Sequence, residues 1–97
     1  MYTHVVMFKL KDRKDIDFVA DTLRSMNGRI PELKSLEVGI NDIESERNYD
    51  LVIITRFASQ DDYLLYAEHE YHVNEVLAKI KDLRESSAVV DFAGQDQ

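Results

Sequence analysis

Four segments of the chain have the apolar pattern of β-strands. From Tyr2 to Leu10, the even positions Tyr2, His4, Val6, Phe8 and Leu10 fall on one face, and the odd positions fall on the other. Residues 33 to 40 alternate in the same way, while residues 49 to 57 and 88 to 92 are short runs rich in β-branched side chains. In the first, third and fourth of these segments both faces are largely apolar.

Two further segments have the spacing of amphipathic helices. The first begins at Ile16, repeats apolar residues at intervals of three and four, and ends at Asn27-Gly28. The second begins at Ser59, whose hydroxyl is a good N-cap for residues 60 onward. Its predicted core stripe ends before Ser86 and consists of Val73, Val76, Leu77, Ile80 and Leu83.

The resulting order, β-α-β-β-α-β, predicts an α+β protein of the ferredoxin-like class. Such a chain forms one four-stranded antiparallel sheet with both helices on one face, and we expect residues 1–97 to be a single domain. Strands that are apolar on both faces are expected where both sides of a sheet are covered. We therefore predict a homodimer in which two sheets pack face to face as a dimeric α+β barrel; the alternative is a monomer with an apolar sheet surface.

Composition and charge narrow the classes of partner. The 97 residues carry a formal net charge of −7, so no basic surface is available for nucleic acid or an anionic membrane. The chain has no cysteine, which excludes disulfides and thiolate chemistry. No apolar run is long enough to span a membrane, and a strand begins at residue 2, so we expect no signal peptide and a cytoplasmic protein. Disorder is predicted only for the last few residues.

The densest group of proton-transfer side chains lies between residues 63 and 80. Tyr66, His69 and His72 follow one another at steps of three, which keeps them near one face of a helix. Tyr66 and His72 are nearly two turns apart, so they would need a bend in the helix to converge on one small ligand, and residues 69 to 72 are where that bend would fall. Two imidazoles and a phenol on one face can perform general acid–base chemistry on a carbonyl compound. The alternative is structural: the aromatic rings pack and the histidines lie half exposed at the surface.

Metal and cofactor sites are not predicted. The segment His69-Glu-Tyr-His72 is one residue short of the zinc-protease motif, although the two histidines with Glu68 and Glu75 nearby could hold a divalent ion. No glycine-rich phosphate-binding loop is present among the three glycines. We therefore expect neither a metal nor a nucleotide cofactor.

Several segments together resemble the stress-responsive dimeric α/β-barrel (Dabb) family. The resemblance covers residues 2 to 92 and rests on five segments in order: His4-Val-Val-Met-Phe-Lys, Ile30-Pro-Glu-Leu-Lys-Ser-Leu-Glu-Val-Gly, Ser45-Glu-Arg-Asn-Tyr-Asp-Leu, His69-x-x-His72 and Ala88-Val-Val-Asp-Phe. It implies the same dimeric ferredoxin-like barrel that the strand pattern predicts. The family includes heat-stable plant stress proteins and one well-understood enzyme, olivetolic acid cyclase.

The cyclase implies roles for named residues of this chain. By position its catalytic tyrosine and histidine correspond to Tyr66 and His72, in a cavity between sheet and helices. His4 and His69 match further histidines and are predicted to bind substrate. Val6 and Phe8, which share the strand face of His4, are predicted to do the same.

Three departures from the cyclase indicate a differently shaped pocket. Leu51 stands in place of a cavity histidine, Leu23 in place of a tunnel tyrosine, and Glu70 in place of the proline that commonly follows the first histidine of the motif. The resemblance therefore does not carry over the cyclase substrate.

Two hypotheses of function result. The first is a homodimer with a small-molecule cavity that binds a small hydrophobic or aromatic ligand and performs cyclase-like acid–base chemistry without a cofactor. The second is a non-enzymatic stress-response protein that acts through its stable assembly. Whether the side chains of Tyr66, His69, His72 and His4 converge on a pocket separates the two.

Overall fold

Residues 1–94 form a four-stranded antiparallel sheet with helices on one face, as described by a computed structural model of the chain. The strands are β1 (Tyr2–Leu10), β2 (Ser35–Ile40), β3 (Leu51–Phe57) and β4 (Arg84–Ala93). Their order across the sheet is β2-β3-β1-β4, so the consecutive strands β1 and β2 are separated by β3. This confirms the predicted ferredoxin-like fold. The disorder predicted for the last few residues lies outside the described residues.

The pairing of β1 with β3 and β4 puts the even-numbered residues of β1 on one face of the sheet, as the alternation predicts. His4 lies opposite Thr55 of β3 and Asp91 of β4, while Val6 lies opposite Ile53 and Val89. We call the face that carries His4 and Val6 the inner face, because the helices cover it. The opposite side of the sheet is the outer face.

The first helical region begins and ends as its sequence predicts. A 3₁₀ turn at Arg13–Asp15 leads into α1 (Ile16–Arg24), and Asp12 caps the turn by accepting from the backbone N–H of Lys14 at 2.9 Å. After α1, Gly28 has a φ of 80°, a conformation that a residue without Cβ adopts without strain.

The second helical region differs from the single helix that the sequence predicts. It consists of α2 (Gln60–Glu68), a π-helical segment (Tyr71–Leu77) and one short turn, α3 (Ala78–Ile80). Ser59 is the N-cap of α2 as predicted, accepting from the N–H of Asp62 at 3.2 Å. In residues 1–94 no helix combines the length and apolar character needed to cross a membrane.

The π-helical geometry also corrects the predicted core stripe. Val76 and Ile80 are fully buried, but Val73 is exposed and Leu77 is only partly buried. A π-helix has more residues per turn than the α-helical period assumed for the stripe, so side chains rotate out of the expected phase. The strand β4 also begins at Arg84, four residues before the predicted start at Ala88.

The two faces of the sheet have different surroundings. Core residues such as Phe57, Val19 and Leu23 bury the inner face against the helices. The outer face carries a second set of apolar side chains, which the helices do not cover: Val5, Met7, Val52, Ile54, Ala88, Val90 and Phe92. Val90 is 60% and Phe92 46% exposed in the single chain.

Candidate functional site

A cavity of about 140 Å³ lies between the inner face of the sheet and the second helical region. Its apolar lining comes from both layers: Val6, Phe8, Leu23, Ile53, Val76, Leu77 and Val89. Its polar lining comes from the first strand, the second helical region and the edge strand: His4, Tyr66, His72, Arg84 and Ser87. The exposed positions among these residues, Arg84, Ser87 and Val89, all belong to edge strand β4, so the cavity opens there.

A break in the second helical region brings Tyr66 and His72 together. In one continuous α-helix, residues six apart would be separated by about 9 Å along the axis and about 120° around it. Here α2 ends at Glu68, and His69 takes an extended backbone conformation with φ −59° and ψ 136°. The chain then restarts as the π-helical segment, and the rings of Tyr66 and His72 lie with centroids 4.4 Å apart.

His72 is held in the form of a neutral base. Its Nδ1 lies 3.0 Å from the carbonyl oxygen of Ala67, which can only accept, so Nδ1 carries the proton and Nε2 is left as the proton acceptor. Burial lowers the pKa of His72 below 6.5; the bond to Ala67 opposes this shift, and the charges of His4 and His69 add to it. Near neutral pH the imidazole is therefore uncharged.

Tyr66 is a neutral hydrogen-bond donor beside this base. Burial, with a smaller contribution from Tyr63, raises the pKa of Tyr66 well above its usual value of 10.0. The ring packs on Phe57 at a centroid distance of 4.9 Å. No group among residues 1–94 hydrogen-bonds to the Tyr66 hydroxyl, so its proton is available to a ligand.

His4 is oriented by a carboxylate that the sequence analysis did not identify. Asp91 lies directly opposite His4 in the β1–β4 register, and His4 Nδ1 bonds to Asp91 Oδ1. The carboxylate accepts the Nδ1–H and fixes the ring beside Tyr63 and Tyr66, at centroid distances of 4.7 and 6.3 Å. An aspartate inside the otherwise apolar segment Ala88-Val-Val-Asp-Phe was the available signal for this role.

His69 does not line the cavity, contrary to the arrangement expected from a continuous helix. Its Nδ1 accepts from the backbone N–H of Tyr71 at 3.0 Å, which satisfies one free donor at the start of the π-helical segment. The His69 ring is used in this local hydrogen bond, and His69 is not among the residues that line the cavity. We therefore leave His69 out of the proposed binding site and regard it as a capping residue.

The remaining residues singled out from the sequence are two strand residues and the three positions that differ from the cyclase. Val6 and Phe8 form part of the cavity floor and are buried. Leu23 lines the cavity from α1, whereas Leu51 is buried in the core and does not line it. Glu70 does not prevent the break at His69, so the proline common at this position is not needed for the break to form.

Potential metal ligands do not gather in the described part of the chain. Among residues 1–94 there is no group of three or more histidine, aspartate or glutamate side chains placed to hold one ion. His69 and His72 make different contacts: His69 accepts a hydrogen bond at the start of the π-helical segment, and His72 lines the cavity.

Fold and site together define a class: a ferredoxin-like α+β domain in which a tyrosine and a histidine line one cavity between sheet and helices. The model of the stress responsive A/B barrel domain, Dabb, matches residues 2–93, and the chain belongs to this family. No curated protein matches the chain in sequence.

Solved structures with the same fold include dimers and an enzyme. A dimeric ferredoxin-like protein of unknown function from Thermobifida fusca is 25% identical, with a TM-score of 0.82, over 95% of this chain and 89% of that one. A dimeric protein of unknown function from Bacteroides fragilis is 24% identical, with a TM-score of 0.80, over 94% and 93%. The hydroxynitrile lyase of Passiflora edulis is 16% identical, with a TM-score of 0.83, over 99% and 94%.

Proposed function

We propose that this chain is a homodimeric enzyme that binds a small hydrophobic or aromatic carbonyl compound in the inner cavity and performs cyclase-like or lyase-like acid–base chemistry on it without a cofactor. The observation that carries the proposal is the contact between the neutral base His72 and the protonated phenol of Tyr66, both in the lining of one cavity. A base and a hydrogen-bond donor at one place are the two groups that proton abstraction beside a carbonyl requires.

The proposed step moves one proton. Nε2 of His72 takes a proton from the carbon beside the ligand carbonyl and becomes an imidazolium, while the electron pair of the broken C–H bond passes to the carbonyl oxygen. The Tyr66 hydroxyl donates a hydrogen bond to that oxygen as its negative charge develops. His4, fixed by Asp91, binds a polar group of the ligand, and Val6 and Phe8 contact its apolar part.

The proposed homodimer uses the outer face of the sheet. Seven apolar side chains on that face have no cover from the helices, and exposed apolar patches of this kind mark protein–protein interfaces. The ferredoxin-like relatives from T. fusca and B. fragilis are dimers. Because this interface lies opposite the cavity, assembly through it leaves the cavity mouth at β4 open.

The outer face also supports a second candidate function, a non-enzymatic stress-response protein whose stable assembly is itself the active form. In that case the cavity is only a packing defect, and its polar residues contribute to stability alone. Both functions carry the same further predictions: a cytoplasmic location and no binding to nucleic acid or membranes.

The test begins with a thermal-shift screen of the protein against small aromatic and polyketide-like acids. Binding and turnover of each hit are then measured for the parent protein and for variants of the cavity residues. We expect His72→Ala to abolish turnover with little change in melting temperature, and His72→Gln to behave alike. Tyr66→Phe should weaken the complex through one lost hydrogen bond, by about 0.5–1.5 kcal/mol. Tyr71→Phe is the matched control, because the Tyr71 hydroxyl bonds to Ser25 Oγ outside the cavity.

The opposite outcome would favour the second candidate. If His72→Ala binds every hit as tightly as the parent and melts much lower, His72 is a structural part of the helical region and the acid–base assignment fails.

A further inference from the structure

A β-bulge at the start of β4 changes which side chains face the cavity. Ser87 pairs with Phe8 and Ser86 with Lys9, but Leu10 pairs with Arg84, so Glu85 is an extra residue without a partner in β1. In a regular strand, residues 84 and 87 would point to opposite faces, since side chains alternate. The bulge restores Arg84 to the inner face, and both Arg84 and Ser87 line the cavity.

Arg84 has the only permanent charge in the lining of this cavity. The other lining residues are apolar, hydroxyl-bearing or imidazole side chains. Within residues 1–94 no carboxylate lies within ion-pairing distance of the Arg84 guanidinium, even though aspartates and glutamates outnumber lysines and arginines by 19 to 12 in the whole chain. A guanidinium left unpaired at the mouth of a cavity in so acidic a protein is suited to an anionic ligand.

From these observations we infer that the ligand is a small organic acid, whose carboxylate binds to Arg84 and Ser87 at the cavity mouth while its uncharged end enters the cavity. This inference rests on the proposed function and adds the chemical class of the ligand. The arginine fork binds both carboxylate oxygens, and the Ser87 hydroxyl donates one further hydrogen bond.

The size of the cavity limits the uncharged end of this acid. A cavity of about 140 Å³ is close to the size that admits a single benzene ring. The carboxylate stays at the exposed edge strand, where it keeps part of its hydration. The ligand class is therefore a small oxo acid, or a monocyclic aromatic acid with a second carbonyl group, and that carbonyl lies beside Tyr66 and His72.

The experiment compares two acids with their neutral amides on the full-length protein: benzoate with benzamide, and levulinate with levulinamide. Dissociation constants are measured by calorimetry, and NMR of the His72 ring reports whether each probe enters the cavity. We expect each acid to bind about tenfold more tightly than its amide. Arg84→Gln should remove this preference, and Ser87→Ala should reduce it.

Lys81→Gln is the matched control. Lys81 is exposed, lies three residues before Arg84 in the sequence and does not line the cavity, so this variant loses one positive charge without changing the cavity lining. It should keep the preference for acids. If Lys81→Gln loses the preference as fully as Arg84→Gln does, general electrostatic attraction explains the binding and the assignment of Arg84 is wrong.

The remaining outcomes separate this inference from the proposed function. Amides that shift the His72 resonances and bind as tightly as the acids would overturn the inference and leave the cavity as a binding site. If none of the four probes shifts His72, both the inference and the proposed function are contradicted.

Discussion

The two faces of the sheet are built from the same alternating strands but meet different neighbours. On the inner face the helices of the same chain cover the apolar side chains, except at a cavity that holds Tyr66, His72 and His4. On the outer face a comparable apolar set is left uncovered by the helices. The same strand pattern therefore leaves one face covered by helices, with a cavity lined by titratable side chains, and the other face uncovered, which is the face we propose for assembly.

The largest expected effect comes from a charge on the outer face. Val52→Asp places a carboxylate in the proposed interface, where burial without a partner costs about 3–5 kcal/mol. We expect light scattering at micromolar concentration to change from about twice the chain mass of 11.3 kDa to a monomer, with loss of much of the fold.

Leu64→Asp is the control for that variant, because Leu64 is an exposed leucine on α2. It should remain a dimer. A parent protein that is a stable, well-folded monomer would remove the basis for the proposed interface.

The second prediction concerns the covered part of the inner face. Ile80 is fully buried, so Ile80→Ala should lower the free energy of unfolding by about 2–5 kcal/mol. Leu77 is partly exposed at the cavity, and Leu77→Ala should cost less than Ile80→Ala. Urea denaturation at one fixed protomer concentration measures both. Equal losses for the two variants would mean that the π-helical segment is rotated relative to our description.

The smallest effect is a pH dependence that arises from His72. Well above pH 6.5 the imidazole is neutral in both the folded and the unfolded state and contributes no slope to the free energy of unfolding. As the pH falls through 6.5, His72 becomes protonated in the unfolded chain but stays neutral in the folded chain, so the folded state loses stability. The loss ends when the pH falls below the lowered pKa of His72 in the folded state. The loss is about 1.4 kcal/mol for each unit by which the pKa is lowered.

His72→Gln removes this component and keeps a side chain that can bond to the Ala67 carbonyl. As the pH falls from 7.5, the parent should therefore lose more unfolding free energy than the variant does. A difference that stays constant with pH would show that His72 titrates as in the unfolded chain.

Much of the fold and part of the site could be predicted from the sequence, because these depend on local patterns. Strand β1 has the predicted bounds, and the alternation of its residues placed His4, Val6 and Phe8 on the face that the helices cover. The position of Tyr66 and His72 in one cavity agrees with the roles implied by the family resemblance, which remain predictions until ligand and activity are measured.

The rest depends on contacts between distant segments. The break at His69 lies in the segment where a bend was needed for Tyr66 and His72 to converge, but the π-helical period that follows it depends on packing against the sheet, and no local signal fixes that period. The bond between His4 and Asp91 joins residues 87 apart in sequence. The aspartate in the apolar segment 88 to 92 was a signal for Asp91, but its partner could not be named before the register of β4 on β1 was known. The bulge that re-aims Arg84 exists only once β4 pairs with β1, so Arg84 could not be assigned to the site beforehand.

The most direct test of the central claim, that the inner cavity binds a ligand between Tyr66 and His72, is NMR of the three histidine rings during titration with benzoate. The predicted spectrum of the free protein has His72 with its proton on Nδ1 and a pKa below 6.5. On adding benzoate, the resonances of His72 and His4 should shift together while those of His69, outside the cavity, stay in place. Shifts at His69 alone, or at no histidine, would contradict the account.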